Sequence, residues 1–221
     1  MLLSLSVGIT PLMVRELRAR TAPWIYKARP LFIGKISDKA VGVIWAAPGA
    51  PLASMVIEDL IVCGARVFIG VGLIAAIQPH IKVGDLIIPI LAVRGEGTSN
   101  YYLPKEIKAV PDQELINAIK VSCDHLGVKY FMGYIYTTDA PYRETKSMIR
   151  HLQKAHILGI DMETSAIFSV SIYRKVKTAC ILVASTNLSR SKSIGFYSNE
   201  LNEHIFKAIT VCKKTIERLN Y

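Results

Sequence analysis

Three adjacent side chains, Asp161, Met162 and Glu163, hold most of the chemistry this chain offers. They open a helical stretch that runs to about Tyr173 and follows a short apolar run, Ile157 to Ile160. Acidic residues at a helix start favour its positive end, and on these three residues alone that reading stands. The second reading is chemical. A carboxylate bonded to a ligand's hydroxyls fixes the ligand and favours positive charge developing on it. A thioether beside it is polarisable enough to lie against the ligand's face. Glu163 is the candidate for the first task and Met162 for the second.

Other reactive groups are sparser. Gly8 stands between an apolar run and the helix start at Thr10-Pro11. Such a junction can cradle an anion, although an ordinary strand-to-helix turn uses the same residues. Glu16 reads as part of a solvated helix face. The chain has no P-loop, HExxH or GxSxG, and its five histidines (His80, His125, His151, His156, His204) lack metal spacing. His80 sits in a turn string and reads as structural. The four cysteines, Cys63, Cys123, Cys180 and Cys212, form no CxxC pair and read as buried thiols.

These groups need a scaffold. Val67-Phe68-Ile69 is a short apolar run broken by Gly70 and Gly72, which predicts a buried strand stopping at a tight place. Val83-Gly84-Asp85 is a turn into a second run, Leu86 to Ile90, with Asp85 expected to bond local backbone. Further strands are expected at Leu2–Val7, Leu31–Ile36, Val41–Trp45, Tyr130–Thr138, Ile157–Ile160 and Thr178–Ala184. Helices are expected from Thr10 to about Arg20, with Thr10 as its cap, and from Leu52 to Cys63. A third has Leu115, Ala118, Ile119, Cys123 and Leu126 on one face and Gly127 as its stop. Arg143–Lys154, Asp161–Tyr173 and Ser198–Leu219 follow. The last carries an apolar stripe of Leu201, Ile205, Ala208, Ile209, Cys212, Ile216 and Leu219.

Strands and helices alternate, which argues for an α/β fold, a three-layer α/β/α sandwich with a mixed central sheet. Ligands in such folds collect at the carboxyl ends of strands. Gly8, Gly70 to Leu73, Thr137 to Asp139 and Ser185 to Arg190 lie at such ends. The 221 residues read as one domain, 1–221, large enough for a substantial core. Hydrophobic residues make up 51%, yet no apolar stretch is long enough to cross a bilayer. Met1 to Val7 lacks the features of a signal peptide, so a cytoplasmic protein without membrane association is expected. The net charge of +10 is dispersed, with no nucleic-acid motif beside it, so no nucleic-acid partner is expected.

A longer string is more specific. Ala75-Ala76-Ile77-Gln78-Pro79-His80-Ile81-Lys82-Val83-Gly84-Asp85 resembles the signature of the nucleoside phosphorylase superfamily and is closest to its uridine phosphorylase branch. Arg94-Gly95-Glu96-Gly97-Thr98-Ser99 follows at the family's distance, and Asp161-Met162-Glu163 resembles the family's ribose-binding Glu-Met-Glu. The resemblance implies the phosphorylase/hydrolase-like fold and an enzyme, a pentosyltransferase acting on a ribonucleoside of uridine type. Phosphate would be a co-substrate, with no cofactor and no metal. It also implies a homo-oligomer, a dimer or a hexamer built from dimers.

On the same resemblance, Asp161, Met162 and Glu163 bind ribose, Glu163 being the catalytic carboxylate, and Thr138, Asn187 and Arg190 serve the base. The chain departs from the family where phosphate binds: Gly70-Val71-Gly72-Leu73 lacks the usual arginine and hydroxyl, and Leu12 replaces an arginine. Gly8 fits the family's glycine, and Arg29 and Arg94, with Arg15 behind them, are the replacement cations. Ser185-Thr186-Asn187 lacks the acid of the purine enzymes, and Arg143-Glu144-Thr145 is a shortened remnant of the uracil-reading insert. Two alternatives follow: a phosphate-independent nucleosidase, for which Glu16 would have to move in by a helix shift, or a non-catalytic nucleoside-binding subunit.

Overall fold

The computed structural model describes residues 1–189 and 199–220. In chain order the elements are β1 (Leu2–Ser4), α1 (Ile9–Glu16), β2 (Arg20–Ala22), β3 (Leu31–Ile36), β4 (Lys39–Trp45) and α2 (Ala50–Val62). They continue with β5 (Val67–Ala76), β6 (Leu86–Gly95), α3 (Gln113–Leu126), β7 (Tyr130–Thr138) and α4 (Lys146–Lys154). Last come β8 (Gly159–Asp161), α5 (Thr164–Arg174), β9 (Lys177–Asn187) and α6 (Asn199–Arg218). Among the described residues no helix is long and apolar enough to cross a membrane.

The sheet is mixed and runs β2-β3-β4-β1-β5-β8-β7-β6-β9. β5 is its hub. It pairs in parallel with β1, Leu3 opposite Gly70, and with β9 from Val67–Lys177 to Ala76–Asn187. Its far end pairs antiparallel with β8, Ala75 opposite Ile160. Because β9 touches both β5 and β6, the strands β5, β8, β7, β6 and β9 close into a ring. This closure leaves β5 without a free edge at the end where Asp161 to Glu163 begin.

Alternation along the strands sends successive side chains to opposite faces. Leu2, Ile69, Val71, Ile181 and Val183 pack with α1, α3 and α6 on one side. Leu3, Phe68, Cys180 and Leu182 pack with α2 and α5 on the other. Helices therefore cover both faces of the mixed sheet, as the alternation predicts. All seven residues of the last apolar stripe are buried, six of them in α6 and Leu219 just past its end. Gly127, at φ +62°, closes α3 in the left-handed conformation.

Several local expectations are corrected. β5 does not stop at its glycines; it runs ten residues through them. A Cβ at Gly70 would lie 2.8 Å from Cys180 Sγ, and one at Gly72 2.8 Å from Leu5 Cβ. Glycine is needed there to admit neighbours, not to break the strand. Thr10 is not a cap: α1 starts at Ile9 behind Gly8, without a side-chain cap. The helix expected from Asp161 begins at Thr164, because Asp161 still pairs in β8. Cys63 is exposed, while the other three cysteines are buried. β2 has too little apolar content to stand out by its pattern.

The turn into β6 joins the sheet to α6. Asp85 Oδ2 accepts from Lys82 N at 2.8 Å, which keeps the turn closed. Gly84 sits at φ +88°, and a Cβ there would fall 2.3 Å from the His204 ring. Replacement by alanine adds backbone strain to that crowding. Gly84→Ala is expected to lower stability by about 1–2 kcal/mol. The observable is a lower urea midpoint at unchanged slope; an unmoved midpoint would mean that the turn relaxes freely.

Candidate active site

A cavity of about 360 Å³ opens where the strand ends meet. Leu5 to Val7 after β1, and Trp45 with Ala47 and Pro48 at and beyond the end of β4, line it. So do Ile160 to Glu163 at and beyond the end of β8, Pro141 and Glu144 after β7, and Ser185 and Thr186 of β9. Leu73 to Ala75 of β5 complete the lining. Of Asp161, Met162 and Glu163, all three reach this cavity. Its ionisable lining among the described residues is acidic: Asp161, Glu163 and Glu144, with no lysine or arginine.

Glu163 is only 6% exposed. It directly precedes α5, and its Oε1 accepts from Gly49 N at 2.6 Å. Gly49 precedes α2, so the start of one helix clamps the carboxylate that stands at the start of another. Burial first, and then the charge of Asp161, push the Glu163 carboxyl up to about 8. Burial raises Asp161 as well, against hydrogen bonds from Thr137 and Thr164 that pull the other way. The two acids therefore retain a proton between them into the neutral range.

Asp161 does different work from its neighbour. Its Oδ1 accepts from Thr137 Oγ1 at 2.6 Å, and its Oδ2 from Thr164 N at 2.9 Å and from Thr164 Oγ1. Thr137 Oγ1 in turn accepts from Ser165 N at 3.0 Å. Ser165 Oγ donates to Glu96 Oε1 at 2.7 Å, and Glu96 Oε2 accepts from Ser99 N at 2.9 Å. Asp161 is thus the anchor that sets the first turn of α5, and with it the aim of Glu163. Both of its oxygens accept from these neighbours, while the residue also lines the cavity. Glu96, Thr137 and Ser165 support the site in a way the sequence reading did not assign. Glu96 lies in the Arg94 to Ser99 string and Thr137 at a strand end, but neither position says whom the side chain bonds.

The other candidates scatter. Arg94 uses all five of its donors on Ser99 Oγ, Asn100 Oδ1 and the carbonyls of Leu103, Pro104 and Ile107, at 2.6–3.0 Å. It straps its own loop and has no donor left for phosphate. Arg15 stacks on Phe206, 4.8 Å from the ring centroid, and Glu16 faces Lys213 at 3.5 Å. Arg29 lies over the ring of Trp45 at 5.7 Å, and its buried Nε has no hydrogen-bond partner among the described residues. Gly8 stands just past the lining residues Leu5 to Val7, in front of α1.

On the base side, Thr138 Oγ1 accepts from Ala140 N at 3.1 Å and shapes the turn after β7. Asn187 donates to the carbonyls of Gln78 and Ile81, at 2.9 and 2.6 Å, and accepts from Ser189 N and Oγ. Its amide is committed to stapling β9 to the turn after β5. Neither residue lines the cavity; Ser185 and Thr186 do. Arg190 lies outside the described residues. Among the described residues no group of three histidine, cysteine, aspartate or glutamate side chains could hold a metal ion.

A family model described as the phosphorylase superfamily matches residues 8–218. The chain belongs to that superfamily. It is 31% identical over 167 residues to a uridine phosphorylase of Thermococcus kodakarensis, which covers 70% of this chain and 60% of the relative. A uridine phosphorylase of Treponema pallidum is 32% identical over 170 residues, covering 72% and 66%. A DeoD-type purine nucleoside phosphorylase of Buchnera aphidicola is 27% identical over 175 residues, covering 78% and 74%. The chain spans 60 to 66% of the length of the first curated relatives it matches.

Within this superfamily member the signature string is a structural device. Gln78 Nε2 donates to the carbonyls of Gln153 and Ile157, at 3.2 and 2.7 Å. Gln153 Nε2 returns a bond to Ile77 O at 2.6 Å. The reciprocal pair ties the end of β5 to α4 and to the approach of β8. His80 packs on Phe131, ring centroids 5.4 Å apart. The motif thereby fixes where Asp161 to Glu163 emerge, and of its residues Ala75 lines the cavity.

Proposed function

We propose that this protein is an enzyme that cleaves the N-glycosidic bond of a ribonucleoside, of uridine type, and passes the ribosyl group to phosphate. The observation that carries the reading is Glu163, a buried carboxyl beside Met162 in a cavity at the strand ends. Its relatives named uridine phosphorylase support it. As the bond lengthens, positive charge grows on the sugar, and a carboxylate already oriented by Gly49 stabilises it without reorganising. Met162 lies against the pentose, and Ser185 and Thr186 are the polar groups nearest to hand for the base. Phosphate would approach from the Gly8 side, where α1 begins, with Arg29 the remaining cation. A homo-oligomer in the cytoplasm fits the same reading.

One observation favours a second reading, hydrolysis: no lysine or arginine among the described residues lines the cavity. Following free base from a nucleoside panel, with and without phosphate, separates the readings. Phosphate-dependent release supports phosphorolysis, and phosphate-independent release supports hydrolysis. Binding without release would make the chain a non-catalytic nucleoside-binding subunit.

Ribose hydroxyls donating to Glu163 favour its ionised form. The carboxyl sits at about 8 in the empty protein, so nucleoside binding at pH 7 is expected to release close to one proton. Release should fade above about pH 9, where the empty site is already ionised. Calorimetry in buffers of different ionisation enthalpy measures this; binding with no proton exchange at pH 7 would mean that Glu163 meets the sugar as a neutral acid.

A further inference from the structure

We infer that Glu144 is the acid that protonates the leaving base, an inference that rests on the glycosidic-cleavage reading above. Three carboxyls line the cavity among the described residues, and two have other employment. Asp161 is held on both oxygens by Thr137 and Thr164, and Glu163 is clamped by Gly49 on the sugar side. Glu144 is the third. It follows the short turn Pro141–Arg143 after β7, and its side chain has no hydrogen bond or ion pair to any described residue.

Place and surroundings suit the task. Glu144 lines the same cavity as Ser185 and Thr186 and as Asp161 to Glu163. Glu144 is half-buried, so it can face a ligand and still be reprotonated from solvent. Burial raises its carboxyl above the ordinary carboxylate range, which keeps the proton available. The charged groups that share its cavity, Asp161 and Glu163, are acidic and do not oppose this.

The step balances simply. The C1′–N bond breaks and its electron pair stays with the base, while the Glu144 proton moves to an oxygen or nitrogen of that base. A phosphate oxygen bonds C1′, and the proton that phosphate gives up returns to Glu144 through solvent. With water as acceptor the same accounting holds. General acid help of this kind contributes about 10²–10⁴-fold, and its benefit falls as the leaving group improves. Ser185 and Thr186 can bond a base but cannot supply a proton of comparable acidity.

The test compares two leaving groups in the full-length protein. Uridine needs its base protonated, whereas 4-nitrophenyl β-ribofuranoside leaves as a stable phenolate. Glu144→Gln keeps size and hydrogen bonding but holds no acidic proton. It is expected to lower kcat on uridine by about 10²–10⁴-fold and on the nitrophenyl riboside by less than about tenfold. Glu144→Asp, which keeps an acid, should recover part of the uridine rate. Equal losses on both substrates, or an aspartate variant no better than the glutamine one, would overturn the acid role while leaving glycosidic cleavage intact. A wild-type protein that releases neither base nor nitrophenol overturns the underlying reading, and this inference with it.

Discussion

Glu163→Gln is expected to abolish base release and, in the same variant, to make the empty protein more stable at neutral pH. The two effects have one origin. The glutamine oxygen can still accept from Gly49 N, so the local geometry survives, but the variant has no charge to set against a cationic sugar. Loss of a preorganised electrostatic group in a water-poor site is worth about 10²–10³-fold. The stability effect runs the other way. Unfolded, the glutamate titrates near its ordinary value; folded, it does so at about 8. Below the unfolded value both states carry the proton, and no penalty arises. As pH rises from there to about 8, the unfolded chain ionises while the folded one resists, so the native state loses stability. Above that range the loss is complete. Glutamine removes it, so the variant's advantage should grow between about pH 4.5 and 8 and reach a few kcal/mol. Urea melts at pH 5 and pH 8 measure the difference. An equal advantage at both would place its source outside this carboxyl, and full activity in the variant would end the sugar-site assignment.

Asp161→Ala should instead damage the fold. Removing that carboxylate strands Thr137 Oγ1, Thr164 N and Thr164 Oγ1, all buried and all donating to it. Breaking one side of such an arrangement costs about 3–5 kcal/mol, visible as a lower urea midpoint without any ligand. The start of α5 would loosen and Glu163 would lose its aim, so activity should fall together with stability. A sugar ligand behaves differently: its loss weakens nucleoside binding without lowering the midpoint. That second outcome would place Asp161 in the binding set. The contrast between the neighbours is the main mechanical content of this site. Asp161 holds the turn, and Glu163 works from it.

Much of the architecture was legible in advance. The α6 stripe, the Gly127 stop and the β7 boundaries follow from periodicity and from glycine's access to left-handed backbone. The glycines of β5 were misread because glycine weakens a strand and also permits close packing, and only Leu5 and Cys180, brought in from distant segments, show which applies. The cavity's place at the strand ends and the presence of Asp161 to Glu163 in it agree with the reading of the alternating pattern and the signature string. Arg94 and Asn187, by contrast, turned out to be structural ties, and Ser185, Thr186 and Glu144 line the space expected for Thr138 and Asn187.

Periodicity, turn chemistry and motif spacing act over a few residues, so the order of elements, the two faces of the sheet and the superfamily could be read along the chain. The employment of each polar group could not. A carboxylate, an amide or a guanidinium bonds whatever donor or acceptor folding places within about 3 Å, and here those partners come from far along the chain: Gly49 for Glu163, Gln78 for Asn187, Thr137 for Asp161. Which acid keeps its proton, and which stays unpartnered over the cavity, depends on burial and on neighbours that exist only once the sheet has closed.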